Sequence, residues 1–366
     1  MWSRIGRKAY SNPVSTTEVN LVETHVDWAS RAKLHPARIR GRKWLPGSAS
    51  PNYPEFLKPP KDGYPYVFTP EDGTTASPEE CAVAMRKVVH ELLEKNKNGA
   101  VLFRGLPLQT AEDFSSVVNN LGLKLMGYEA GDGVRREIAK GVNTASDDPP
   151  EFCIEPHNEF AYTPLFPEKS ENYAVPPYLS APKNKDDGGV GGYCGKQKHA
   201  ALYGNVGITA PSVTVIDSTS GHNVQEILPR LDKDVVDKFE KLGVMYWHHL
   251  PSHTPGAYLS WQEAFQTEDR AAVEKYMVAN NTNWRWEDDK LSWWITRPPM
   301  FKYRGEKLWF CGIHVINASY FKAHPLWFNK DIPDHDFPFN TYYGDGTDIE
   351  AEVIQHIRDV EWKVRR

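Results

Sequence analysis

The sequence predicts a mixed α+β fold, on three observations. From Ser77 the stretch SPEECAVAMRKVVHELLEKN places Ala82, Met85, Val88, Val89 and Leu92 at helical spacing. Directly after it comes GAVLFRGLPL, a short apolar run of strand formers bounded by Gly99 and Gly105. The last third mixes strand candidates around SWWIT, KLWFCGIHVI and FNTYYGDG with a final helical stretch, IEAEVIQHIRDVEW. At 366 residues the chain can bury a large core, and one elaborated domain is preferred to two small ones.

Residues 1–75 are rich in Pro, Arg and Lys with little periodicity, which predicts an extended arm laid over a domain spanning 76–366. Ser77 caps the first helix and Pro78 suits its first turn; Thr110 restarts a helix through Leu121 by the same logic. Residues 168–206 are dense in Gly, Lys, Pro and Asp without apolar periodicity and predict a long loop insertion. Beyond it SVTVID reads as a strand, HNVQEILPRLDKDVVDKFEKLG as helical and VMYWHHL as a strand whose alternation sends His248 and His249 to opposite faces. Tyr343-Gly-Asp-Gly346 predicts a tight turn. The tryptophans Trp284, Trp286, Trp293, Trp294, Trp309 and Trp327 read as core before they read as a substrate wall.

Composition narrows the function. A formal net charge of −5 gives no bulk attraction to nucleic acid or to an anionic membrane, so a small-molecule partner is expected. The four cysteines, Cys81, Cys153, Cys194 and Cys311, lie far apart with no C-x-x-C pair, which argues against a zinc ribbon or disulfide framework and for a reducing, cytoplasmic setting. No apolar run reaches the roughly 18 residues that span a bilayer, and the opening lacks the apolar stretch of a secretory signal. That opening is basic and free of acids up to Glu18; a mitochondrial transit peptide is the alternative to a plain basic terminus. GGVGG has no strand before it or helix after it, so it is not a phosphate loop.

The most informative segment is IEPHNEFAY, in which His157 and Glu159 are one residue apart. On an extended strand they point to one face, where imidazole and carboxylate could grip a single cation, as in the first half of a 2-His-1-carboxylate site for Fe(II). The bland alternative is a surface histidine beside a solvated glutamate.

Several segments together carry a resemblance. GAVLFRGLPLQTAEDF, Tyr128, Gly131, Arg135 or Arg136, VNTAS and PHNEFAYTPLFPEK are followed by VTVIDS, GVMYWHHL, YLSWQEAFQTED, TRPPMFKYRGEKLWF and TYYGDGTDIEAEVIQHI. In order and spacing they resemble the TauD/TfdA family of Fe(II)/2-oxoglutarate-dependent dioxygenases, in its clavaminate synthase-like, H-N-E branch. The resemblance covers most of the chain from about Gly99. It implies a jelly-roll-like double-stranded β-helix flanked by helices, with His157 and Glu159 as iron ligands on a strand at its mouth. It implies Fe(II) and the co-substrate 2-oxoglutarate, and an oxidation of a small molecule by O2. Thr214 in VTVIDS matches the family threonine that hydrogen-bonds 2-oxoglutarate, with Thr209 after Gly207 as the competing match and a plain strand threonine as the third reading.

The family's distal histidine and its 2-oxoglutarate arginine are expected beyond the Y-G-D-G stretch and the helix after it, whereas this sequence ends at EWKVRR. The expectation is therefore a fold short of its C-terminal core strands. Among other histidines, His314 in LWFCGIHVI is the first candidate to complete the site, with a hydrogen-bonded core histidine as its alternative; His356 is expected on an exposed helix face. The second functional reading is an inactive relative that serves as a binding or scaffolding module.

Overall fold

The computed structural model describes residues 19–25, 66–71, 74–95, 100–124, 130–143, 155, 157–158, 160–164, 169–174, 212–217, 222–303, 305–322, 324, 326–328 and 330–364. Thirteen strands lie among them. β1 (Leu21–Glu23), β2 (Tyr66–Pro70), β3 (Ala100–Arg104), β4 (Glu137–Ala139), β5 (Val142–Asn143), β6 (Lys169–Ala174) and β7 (Ser212–Asp217) come first. β8 (Val244–Leu250), β9 (Asn283–Glu287), β10 (Lys290–Arg297), β11 (Met300–Tyr303), β12 (Glu306–Trp309) and β13 (Phe339–Tyr343) follow.

Two sheets dominate: one of five strands in the order β1-β2-β3-β7-β6 and one of four in the order β13-β8-β10-β9. Among the described strands, only β2 and β3 pair in parallel. Two two-stranded sheets, β11-β12 and β4-β5, and several helices accompany the two large sheets, so the described residues form an α+β protein; none of their sheets closes into a barrel. No described helix is long and apolar enough to cross a membrane.

The first helix, Pro78–Val89, begins as its sequence dictates: Ser77 accepts from the Glu80 amide while the Glu80 carboxylate accepts from the Ser77 amide. Thr110 and Asp113 do the same for Ala111–Asn120. These helices pack Met85, Val89, Phe114, Val117 and Val118 against Val101 and Phe103 of β3 to form one apolar cluster. A second cluster gathers both sides of β8 in sequence, from Phe160 and Tyr162 to Ile357 and Val364.

Strand β8 alternates strictly: Val244, Tyr246, His248 and Leu250 are buried while Met245, Trp247 and His249 are half-buried. His248 and His249 thus take opposite faces, as the sequence predicts. The Y-G-D-G turn is present too, with the Gly346 amide donating to the Tyr343 carbonyl at 2.8 Å and Gly346 at φ +87°. At Gly344 the chain runs so close to the end of helix Lys233–Leu242 that a Cβ would lie 2.0 Å from the Leu242 carbonyl oxygen.

Several expectations about secondary structure need revision. The predicted loop at 168–206 opens with a strand, β6, paired along its length with β7; the remainder of that loop lies outside the described residues. Its polar sequence, KSENYA, is tolerable because β6 is an edge strand. The stretch predicted as helical from His222 is divided at Leu228–Arg230, where Pro229 interrupts the α-helical ladder. KLWFCGIHVI is not one strand: β12 ends at Trp309, and Ile313–Ile316 is a helical turn closed by the Ile316 amide donating to the Gly312 carbonyl.

Candidate functional site

The described residues around His157 do not form the strand its H-x-E spacing suggested: His157 and Asn158 lie outside any strand, and residues 160–162 form a turn. Phe160 adopts φ +56°, which a strand does not permit, and the Thr163 amide and hydroxyl both donate to the Phe160 carbonyl at 3.0 Å. Such a left-handed non-glycine residue costs on the order of 1–3 kcal/mol and persists only where its surroundings fix it.

They fix it from several directions. Tyr162 lies against His248 and Tyr246 of β8, with ring centroids 5.8 and 6.4 Å apart, and its hydroxyl accepts from the Asp132 amide at 3.1 Å. Arg297, at the end of β10, donates to the Thr163 carbonyl. At the start of the segment, Arg358 Nε donates to both carboxylate oxygens of Glu155, at 3.0 and 2.8 Å. The segment is therefore clamped between the buried face of the four-stranded sheet and the last helix, Ala351–Val364.

His157 Nδ1 lies 2.8 Å from the carbonyl oxygen of Glu155. A carbonyl only accepts, so Nδ1 is the protonated nitrogen and, in the neutral ring, Nε2 carries the lone pair. Its sequence partner Glu159, and Thr209, lie outside the described residues. Thr214 does sit on a strand, in register with Leu102 of β3 on one side and Asn172 of β6 on the other.

Among the described residues, His314, His356, His253 and His324 engage partners other than His157. His314 lies on the Ile313–Ile316 turn, fully buried, with Nε2 3.7 Å from the Glu155 carboxylate. His356 accepts from the Asp232 amide at 3.0 Å, and the exposed His253 lies 3.1 Å from Glu268. His324 Nδ1 accepts from the Leu326 amide. Among the described residues, no three His, Cys, Asp or Glu side chains converge to hold a metal ion. Of the two residues singled out as metal ligands, only His157 is among the described residues.

His248 is a different case. It is 1% exposed, its ring stacks on Trp293 at 4.4 Å and 11°, and Phe339 meets it edge-on at 5.2 Å. Neither ring nitrogen has a hydrogen-bond partner among the described residues, and burial alone pushes its pKa down to about 3. It is a neutral core ring.

Sequence reasoning missed Glu155, Arg358 and Ser319. A signal existed for Arg358: it falls on the apolar stripe of its helix, four residues after Ile354, where a charged side chain demands a buried partner. Nothing in the sequence says that the partner is Glu155.

Fold and loop together define an α+β protein in which a histidine meets, through Nδ1, the carbonyl of a buried glutamate held by the last helix. The chain is 26% identical to a clavaminate synthase-like protein of Arabidopsis thaliana over 268 residues, 71% of this chain and 68% of that protein. It is also 26% identical to the dapdiamide synthesis protein DdaC of Enterobacter agglomerans over 319 residues, 82% of this chain and 80% of that one. No family model matches the chain.

Proposed function

We propose that the chain is a non-haem Fe(II)- and 2-oxoglutarate-dependent oxygenase of the TauD/TfdA type that oxidises a small molecule with O2. His157 and Glu159 are its first two iron ligands. The observation that carries this reading is the 2.8 Å contact from His157 Nδ1 to the Glu155 carbonyl. Metal-binding imidazoles characteristically donate their second N–H to a carbonyl or carboxylate, which fixes the ring and leaves the other nitrogen as the donor. Likeness to a clavaminate synthase-like protein over 71% of the chain supports the same class.

In this reading the five- and four-stranded sheets belong to a double-stranded β-helix, and Thr214 or Thr209 donates a hydrogen bond to 2-oxoglutarate. Iron, when bound with 2-oxoglutarate and O2, supplies the oxidation, which leaves succinate and CO2 as co-products. The chain's own residues hold and orient: His157 presents Nε2, Glu155 fixes the ring, and Arg358 fixes Glu155.

The test is succinate formation from 2-oxoglutarate by the purified chain with Fe(II) in air, against a panel of small molecules. The expected result is Fe(II)-dependent succinate that falls in His157→Ala by at least the roughly 100-fold that loss of a mere outer-shell partner of a metal ligand can cost. Equal rates in both proteins would refute the assignment of His157. No succinate from folded wild-type protein would favour a non-catalytic binding module.

A further inference from the structure

We propose that Arg358, on the last helix, is a positioning residue for His157: it sets the orientation and tautomer of that imidazole through Glu155. The inference rests on the reading of His157 as a metal ligand, but its physical content stands on four contacts that do not involve a metal.

Arg358 Nε holds both oxygens of the Glu155 carboxylate, and its Nη2 reaches the His314 carbonyl at 3.3 Å and the Ser319 hydroxyl at 3.2 Å. Glu155 and Arg358 are each 1% exposed, and His314, whose ring also faces the Glu155 carboxylate, is 0% exposed. Water therefore does not compete for this carboxylate. Glu155 in turn offers its main-chain carbonyl to His157 Nδ1 two residues further on.

A side chain locked through Nε to one partner and through Nη2 to two others has few ways to turn, so the Glu155 backbone is fixed as well as its carboxylate. The direction of the Glu155 carbonyl then decides which imidazole nitrogen bears the proton. The arrangement has the form found behind ligating histidines, where an outer group dictates the tautomer and its loss weakens metal binding about 10- to 100-fold. Here that outer group is a carbonyl, and what steadies it comes from a helix 203 residues away in sequence.

The experiment uses the full chain and two readouts at pH 8. Long-range 1H–15N correlation on the histidine rings, with His157→Ala to assign the signal, reports the His157 tautomer without metal. Co(II) alone, titrated as a spectroscopic probe, reports affinity.

The variants are Arg358→Met and the double variant Glu155→Gln/Arg358→Met, which leaves no unpaired buried charge where the single variant does not fold. The expected result is an Nδ1–H ring in the wild type, mixed tautomers in the folded variants, and a 10- to 100-fold weaker, His157-dependent Co(II) affinity. A folded variant that keeps both the wild-type tautomer and the wild-type affinity overturns the proposal. A tautomer that changes as expected while wild-type Co(II) binding is independent of His157 leaves the positioning role standing and removes the metal reading.

Discussion

Arg358 Nε sits 2.8 Å from Glu155 Oε2 and 3.0 Å from Oε1, joining two fully buried side chains that are 203 residues apart in sequence. The contact ties the last helix to the loop that carries His157.

The first prediction concerns that pair. Removing one partner leaves an uncompensated buried charge, so Arg358→Met and Glu155→Gln are each expected to lose about 3–5 kcal/mol of stability. The double variant is expected to recover much of that loss, giving an interaction energy well outside the additive range. Urea unfolding of the four proteins measures it. Additive losses would mean that the two groups do not stabilise each other.

A second prediction follows from His248. The unfolded ring titrates near 6.5, while burial holds the folded ring down at about 3. Protons therefore bind the unfolded chain first. The stability associated with the neutral ring is complete above about pH 6.5 and is lost as the pH falls from there toward 3. At pH 5 the loss amounts to about 2 kcal/mol, at 1.36 kcal/mol for each pH unit below the unfolded pKa. His248→Phe keeps a ring against Trp293 and has no proton to gain. Its unfolding midpoint should match or exceed the wild type at pH 7.5 and exceed it clearly at pH 5; a constant difference between the two pH values would contradict this.

Gly344 and Gly256 separate two uses of glycine. A Cβ on Gly344 would overlap the Leu242 carbonyl and come 2.7 Å from Thr296 Cγ2, whereas at Gly256, with φ +81°, nothing lies within 4 Å. Gly344→Ala must push backbone apart and should cost roughly 1–3 kcal/mol as overpacking does. Gly256→Ala bears only the left-handed backbone penalty of about 1–2 kcal/mol. A structure of Gly344→Ala should show the turn displaced from helix Lys233–Leu242, and one of Gly256→Ala should show neighbouring elements unmoved.

The two described cysteines should be chemically silent. Cys81 is fully buried with its pKa raised to about 11, and burial pushes the Cys311 thiol well above its ordinary value. Because the thiolate is the nucleophile, brief alkylation at pH 8 should leave both unmodified until the protein is denatured, as peptide mass mapping would report. Rapid labelling of Cys311 in the native protein would contradict its placement.

Local chemistry made much of the fold legible. Ser77 with Glu80 and Thr110 with Asp113 spell out their helix starts because a capping box lies within four residues. The alternation in VMYWHHL assigns His248 and His249 to opposite faces for the same local reason. What was hidden depends on distant partners. β6 has no apolar pattern and becomes a strand because β7 pairs with it. The turn at Phe160 is held by Arg297 and by the ring of Tyr162 against β8, and the buried role of Glu155 needs Arg358. In the candidate site the sequence singled out His157 but not the Glu155 carbonyl beside its Nδ1.

The most direct measurement of the central claim is an anaerobic titration of Fe(II) into the purified chain with and without 2-oxoglutarate, following the weak visible charge-transfer band of the chelate. The account predicts a band that requires both Fe(II) and 2-oxoglutarate and disappears in His157→Ala. A folded wild-type protein that gives no band, or a His157→Ala variant that gives the same one, would contradict it.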